Sequence, residues 1–327
     1  MVSDMMQLKE ELAGMKTIGI SGHVRPDGDC VGAVMATYLY IRKIMPEAAV
    51  EVMLEEPADI FLCIKDVDKI NTTFKKTVGN ADEPFDAFIA LDCESSRLGQ
   101  AETYFSKAVK RINIDHHISN EQGCGDVNYV VPTASSASEL VYDVLEETLI
   151  DEDIAKAIYI GIMHDTGVFQ YSNTSPKTLQ TVAKLVGFGF DFTSLIDATF
   201  YEKTYVQNQI LGRALMESIM FMNGQCIVSS LDKKTMDFYG ATPKDLEGIV
   251  SQLRLTKGVE CAIFMYEIGT LEYKVSMRSC SKVDVAAVAK YFGGGGHVRA
   301  AGCTMQGTFY DVVNNLSAHI EKQLLNQ

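Results

Sequence analysis

Three features of the 327-residue sequence predict an α/β protein built on a doubly wound, mostly parallel sheet, followed by a smaller α/β domain. Apolar strands alternate with helical segments over the first ~190 residues. His23, Asp27, Asp29, Asp92, Asp115, His116 and His117 each follow closely on an apolar run read as a strand. Open parallel sheets bind ligands beyond the carboxyl ends of their strands, so one edge receives all seven. Beyond residue 224 a strand, a helix, a two-strand hairpin and two further helices read as the second, smaller domain. The expected division is 1–190 for the first domain, 191–224 for a helical connector and 225–327 for the second domain.

In order, residues 5–15 read as a short lead-in helix and 16–21 as a buried strand. Gly22, Pro26 and Gly28 mark a loop, and 31–45 a helix with Val34, Leu39, Ile41 and Ile44 on its apolar positions. Strand 49–54, helix 57–64 and a polar stretch to 84 follow. Strand 85–91 ends at Asp92, helix 100–109 comes next, and strand 111–114 runs into Asp115. Ser136 with Glu139 reads as a capping box for a helix to 149. Asp151-Glu152-Asp153 opens a helix to Asp165, and Ser175-Pro176 begins another. Residues 191–222 read as helical, with Leu195, Ile196, Ile210, Leu211 and Leu215 spaced for packing. After a turn at Asn223-Gly224 come strand 226–231 and helix 243–255. Strands 259–268 and 271–278 form a hairpin, and helices 284–292 and 310–325 complete the chain.

Composition narrows the function classes. At 47% hydrophobic and 22% charged the chain is globular. No apolar run approaches the roughly 20 residues of a membrane span, and Met1-Val2-Ser3-Asp4 lacks the basic start of a signal peptide. A cytoplasmic protein is expected. The eight cysteines include no Cys-x-x-Cys pair, so Cys30, Cys93 and the others read as small buried thiols. The net charge of −14 divides into −15 over 1–224 and +1 over 225–327. No basic tail tracks a long polyanion, which argues against duplex DNA and for small or short substrates.

Two divalent ions close together bring four positive charges, and Asp27, Asp29, Asp92 and Asp165 supply four negative ones. His23 and His116 add neutral imidazoles, and Asp92 has the two oxygens needed to bridge. An Asp-x-Asp alone reads as a solvated turn and a His-His alone as surface polarity; jointly, at strand ends, they read as a two-metal hydrolytic centre. Imidazole and carboxylate without thiolate favours Mn²⁺, with Co²⁺, Fe²⁺ or Zn²⁺ as substitutes. His164 is left outside the ligand set as a core histidine. The glycine run Gly293 to Gly296 has three readings: a hinge, a tight turn for close packing, or a nest of N–H groups for an anion. Neighbouring His297 and Arg299, with Arg278 at a strand end, favour the anion.

These residues resemble the DHH phosphoesterase superfamily, through Asp115-His116-His117, the strand-end aspartates and the Gly294 to Gly302 run, which is similar to the signature of its associated C-terminal domain. The segment Ser276 to Ser279 and the length are most like the bifunctional oligoribonuclease/pAp phosphatase subfamily. The resemblance implies two Mn²⁺ ions per chain: His23, Asp27 and bridging Asp92 on one, Asp29, Asp92, His116 and Asp165 on the other. It implies that His117 contacts the scissile phosphate, that Asp115 fixes an imidazole, and that Arg278, Gly294, Gly295, Gly296, His297 and Arg299 grip a phosphate or nucleotide. It also implies a homodimer. The expected activity is hydrolysis of short single-stranded RNA to 5′-mononucleotides, and of 3′-phosphoadenosine 5′-phosphate (pAp), by two-metal activation of a bridging water. A cyclic-di-AMP or pApA phosphodiesterase is the alternative within the same chemistry. A nucleotide-binding regulator without turnover is the alternative outside it.

Overall fold

The computed structural model describes residues 6–325. The chain forms two compact units, Met1–Glu202 and Lys203–Gln327. In the first, a short helix α1 (Leu8–Glu11) precedes strand β1 (Thr17–Ser21), helix α2 (Gly28–Ile44) and strand β2 (Ala49–Val52). Residue 5, where the lead-in helix was expected to begin, lies outside the described residues. Strand β3 (Ala87–Leu91), helix α3 (Glu102–Phe105), and strands β4 (Lys110–Asp115) and β5 (Val127–Val130) follow. Helices α4 (Ala137–Val144), α5 (Glu152–Asp165), α6 (Pro176–Val186) and α7 (Phe192–Ile196) complete the unit.

The five strands lie in the order β2-β1-β3-β4-β5, all parallel. β3 is apolar throughout because parallel strands are covered on both faces. Its alternate residues serve separate cores. Ile89 and Leu91 join Ile18, Ile20, Ile112 and Ile114 beneath α2, α4 and α5. Phe88 and Ala90 pack with Phe74, Leu98 and Phe105 on the other side. The chain moves from β1 to β2 on one side and then places β3 on the other side of β1. That reversal opens a crevice between the ends of β1 and β3, the usual position for a ligand.

Helix α2 starts three residues earlier than the apolar spacing indicates, because Asp27 caps it: its Oδ1 accepts the N–H groups of Asp29 and Cys30, both at 3.1 Å. Asp29 therefore stands in the first helical turn rather than in a loop. The box expected at Ser136 is half formed. Ser136 Oγ accepts the Glu139 N–H at 3.0 Å, but the Glu139 carboxylate turns to Ser135 and to the Thr178 hydroxyl. Helix 100–109 shrinks to α3 because the Val109 N–H is already committed to Phe85 O. The segment 57–64 is a 3₁₀ turn, Asp59–Cys63, with Ile60 and Leu62 exposed. Strand β5, half-buried and interrupted by Asn128, has no apolar run to announce it.

The second unit opens with helix α8 (Tyr205–Met216), strands β6 (Ile219–Phe221) and β7 (Cys226–Leu231), and helices α9 (Lys233–Tyr239) and α10 (Ile249–Arg254). Strands β8 (Cys261–Gly269) and β9 (Glu272–Ser279), helix α11 (Val285–Tyr291), strands β10 (Gly295–His297) and β11 (Ala300–Gln306), and helix α12 (Phe309–Leu325) follow. The sheet order is β10-β11-β9-β8-β7-β6, with only β7 and β8 parallel. The stretch 191–222 is not one helical run. A π-helical turn (Asp197–Tyr201) follows α7, Thr204 and Gln207 form a capping box that starts α8, and Ile219–Phe221 pairs with β7. Gly248, at φ +84°, breaks 243–255 into a 3₁₀ turn and α10.

Close approach of α2 and α5 depends on two glycines. A Cβ at Gly32 would meet Ala157 O at 2.6 Å, and one at Gly161 would run into Ser138 Oγ and stand 3.0 Å from Asp29 Oδ1. Gly161→Ala should therefore destabilise the first unit by about 1–3 kcal/mol. Gly212→Ala, in α8 with nothing within 4 Å of the added carbon, should stabilise the second by roughly 0.5–1 kcal/mol. Urea unfolding of the two variants should give opposite signs.

Candidate metal centre

Strand β1 exits through Gly22 into His23. The His23 Nδ1 faces Val24 O at 2.9 Å, which sets that nitrogen as the donor and leaves Nε2 to face the carboxylates. Nε2 lies 3.6 Å from Asp27 Oδ1 and 3.4 Å from Asp92 Oδ2. Asp92 follows directly on β3 in the left-handed region, at φ +59°, with its N–H bonded to Ile114 O at 3.0 Å. Its other oxygen, Oδ1, is 3.4 Å from His116 Nε2 and is buried without a hydrogen bond. One carboxylate thus turns one oxygen to each histidine.

His116 Nε2 is also 3.8 Å from Asp29 Oδ2 and 3.8 Å from Asp165 Oδ2. Asp29 is 2% exposed, and its two oxygens accept the N–H groups of Ala137 (2.7 Å) and Ser138 (2.9 Å). It thereby satisfies the first two orphan donors of α4. Asp165 ends α5, which α2 carries against Asp29 through the Gly32 and Gly161 contact.

Asp115 is fully buried and works through its neighbours. Oδ1 accepts from His116 N (2.8 Å), His117 N (3.2 Å) and His117 Nδ1 (2.8 Å), and Oδ2 from Asn120 Nδ2 (2.7 Å). The His117 ring is therefore fixed with Nε2 directed away from Asp115. Asn113 and Asn120 were absent from the sequence-derived set. Asn113 Nδ2 donates to Ala90 O (3.1 Å) and Cys93 O (3.0 Å), on either side of Asp92, while its Oδ1 accepts from Asn120 (2.9 Å) and Cys124 N. The available signal was a fully polar side chain two residues before Asp115, on the same face of a strand whose other face is isoleucine.

Burial alone would lower the His23 pKa, but the facing carboxylates of Asp27 and Asp92 outweigh it and raise it to about 10. His116 behaves alike: burial is overcome by Asp92, Asp29 and Asp165, to about 10. Asp29 is pushed well above the carboxylate range by burial and by the charges of Asp92 and Asp165. Asp165 is raised to about 6 by burial, with Asp92 and Asp27 adding. For Asp115, burial is outweighed by the bonds from His117 and Asn120, and its pKa is lowered. Crowded carboxylates, an orphaned buried oxygen on Asp92 and imidazole nitrogens aimed at the same space, from which an ion would displace the protons, fit a pair of divalent ions. Ligands about 2.1 Å from one ion stand about 3–3.5 Å apart, close to the separations here.

Cys30 Sγ lies near the donors of His23 and Asp92, but burial holds its thiol far above the ordinary range, and it packs as a neutral group. His164 sits behind α2, 3.1 Å from Thr199 Oγ1 and edge-on to Phe61 and Phe200. Burial lowers its pKa to about 4, so it is uncharged at neutral pH.

In the second unit, Gly295–His297 forms a tight hairpin with β11, and register aligns Arg278, Ala300 and His297 across three strands on one face. The glycines answer to close packing: a Cβ at Gly294 would meet Cys303 Cβ at 2.6 Å, and one at Gly296 (φ +144°) would meet Ala300 O at 2.5 Å. The N–H groups of Gly293 and Gly294 bond Lys290 O and Ala289 O, so these two do not point to an anion. Arg299 Nη1 donates to Val283 O at 3.0 Å. Arg278 is half-buried with Nη1 on Met277 O, and burial together with nearby Arg254 lowers its pKa. Arg254, another residue the sequence did not single out, has no carboxylate within ion-pair distance among the described residues.

Residues 17–162 match the DHH family, N-terminal domain, and residues 223–326 match the DHHA1 domain. The chain is 28% identical over 301 residues to the bifunctional oligoribonuclease and PAP phosphatase NrnA of Thermus thermophilus, covering 90% of this chain and 86% of that one. It is 26% identical over 312 residues to the protein of the same name from Bacillus subtilis, covering 93% and 94%. The crystal structure of an exopolyphosphatase-related protein from Bacteroides fragilis has the same fold, with a TM-score of 0.84 at 24% identity, covering 98% of this chain and 96% of that one.

The protonated state of His23 and His116 is tied to the folded, metal-free protein. Its stabilising contribution is complete below about pH 6.5 and disappears as pH rises toward 10. Chelator-stripped protein should accordingly lose thermal stability between these limits. Saturating Mn²⁺ should remove the slope, since an ion takes neutral imidazole. Melting curves across that range, with and without metal, check both statements.

Proposed function

This protein is a DHH phosphoesterase, a hydrolase with a DHH domain ahead of a DHHA1 domain, and from that premise we propose that it hydrolyses short single-stranded RNA to 5′-mononucleotides, and pAp to AMP, with two Mn²⁺ ions. The observation that carries the two-ion reading is Asp92, whose oxygens face His23 and His116 separately while Oδ1 has no hydrogen bond. His23 and Asp27 would share one ion with Asp92; Asp29, His116 and Asp165 would share the other with it. Bound there, the ions supply Lewis-acid polarisation of a phosphoryl oxygen and activation of water.

The protein's own side chains do the rest. Asp115 holds His117 Nδ1, so Nε2 is the nitrogen that meets the scissile phosphate. Asn113 and Asn120 hold Asp92 and Asp115 in place before substrate arrives. We assign Arg278 and His297, on one face of the second sheet, to a phosphate of the nucleotide, with Gly295 leaving open space two residues before His297. The choice of short RNA and pAp is supported by the names of the relatives and by a second domain with +1 net charge, too weak a field to track a long strand.

A Mn²⁺-supplemented panel of RNA oligomers of increasing length, pAp, pApA, cyclic-di-AMP and pyrophosphate should show the highest kcat/KM on the shortest RNAs and on pAp. Preference for cyclic-di-AMP or pApA would move the reading to diadenylate turnover. Equal rates on a dinucleotide and a long RNA would end it. Asp92→Ala should lower kcat at least about 100-fold with the fold retained. Arg278→Gln should raise KM about 10-fold or more, corresponding to a lost charged contact, while leaving Mn²⁺ binding unchanged by calorimetry.

A further inference from the structure

Beyond α5 the chain makes a turn that the chemistry above does not use. Gly167, Val168 and Phe169 are successive left-handed residues, at φ +56°, +55° and +64°. A β-branched residue avoids that region, and strain of this kind persists where the surroundings over-determine it, often at functional sites. Here Val168 N–H bonds Met163 O (2.8 Å), Phe169 N–H bonds Thr166 Oγ1 (3.1 Å) and Tyr171 N–H bonds Thr166 O (3.0 Å). The turn folds the chain back so that Asn173 lies against the end of α5.

Asn173 Nδ2 has three acceptors within reach: Ser135 O at 2.8 Å, Asp165 O at 3.1 Å and Asp165 Oδ2 at 3.2 Å. All three are oxygens, which fixes the amide orientation. Its own Oδ1 is buried with no hydrogen bond. The Asp165 oxygen it holds is the one that lies 3.8 Å from His116 Nε2. Ser135 begins the strap in which Ala137 and Ser138, two and three residues on, hold Asp29 through their N–H groups. A single amide therefore joins Asp165 to the backbone that positions Asp29, and both carboxylates belong to the same half of the centre.

We propose that Asn173 is a positioning residue for the ion shared by Asp29, His116 and Asp165, setting the direction of Asp165 Oδ2 and tying it to the strap at Ser135. The inference rests on the two-ion reading above. It assigns Asn173 to one ion and not to the other, because its bonds reach Asp165 and Ser135 and none reaches His23 or Asp27, the two ligands that belong to the other ion alone.

The test is Mn²⁺ titration of metal-free protein by calorimetry, with electron paramagnetic resonance counting free ion. Wild type should bind two ions per chain. Asn173→Ala should weaken one of them about 10–100-fold, as loss of a supporting bond to a metal ligand does, and leave the other unchanged. Thr174→Val serves as the control for the turn: the Thr174 hydroxyl is buried without a partner, so the near-isosteric change should alter neither affinity. If Asn173→Ala does not fold, Asn173→Ser makes the same comparison. Unchanged affinities in the Asn173 variant, equal weakening of both ions, or the same loss in Thr174→Val would overturn the assignment to Asn173 alone. Fewer than two ions in wild type would overturn the two-ion reading and this inference with it.

Discussion

Asp92 must present two oxygens to two histidines from a position with no room to adjust. It stands immediately after β3, in a backbone conformation that side chains other than glycine seldom take. The register of β3 between β1 and β4 brings its carbonyl neighbours to Asn113, which bonds Ala90 O and Cys93 O and so fixes the main chain on both sides of it. The buried isoleucines under α2 and α5 supply the rigidity that such a conformation requires. Much of the first unit can be understood as support for this one carboxylate: a parallel sheet to bring strand ends together, a reversal in strand order to open the crevice, and polar ties to hold the residue there.

The electrostatic problem is shared among elements in the same way. Asp29, Asp92 and Asp165 are mutually repulsive, and burial denies them water. Helix ends offset part of this. The first N–H groups of α4 bond Asp29, and those of α2 bond Asp27. The remaining imbalance falls on His23 and His116, which take up protons in the metal-free protein. The same nitrogens that bind a proton are those facing the carboxylates, so proton and cation compete for one space.

Strands β1, β3 and β4 were legible because each carries apolar residues into the core and then meets a polar residue: β3 is apolar throughout, as a parallel strand covered on both faces should be, while β4 alternates isoleucine with polar residues up to Asp115. The placement of His23, Asp92, Asp115, His116 and His117 at one sheet edge followed from that pattern alone. Less was legible where tertiary contacts decide. β5 and β6 are short strands paired at sheet edges, without a distinctive period. The helix expected over 243–255 shows no break in its apolar spacing, yet Gly248 turns left-handed and divides it. In the glycine run, hairpin packing and an anion nest use the same residues, and only the partners of Gly293 and Gly294 N–H distinguish them. Asn113 and Asn120 were illegible because asparagine is at home in any turn; their meaning lies in partners up to 23 residues away.

The double service of Asp29 bears on how such a chain can diverge. Its carboxylate caps α4 from α2, so a substitution there unties two helices whether or not metal is bound. Asp92 has no comparable structural duty for Oδ1, which hydrogen-bonds to nothing. On the two-ion reading, a descendant that abandoned catalysis would still need the first aspartate for its fold, whereas Oδ1 of the second has no such tie. Among distant sequences of this fold, a surviving counterpart of Asp29 is therefore a record of architecture, and on the two-ion reading the counterpart of Asp92 is the better diagnostic of retained chemistry.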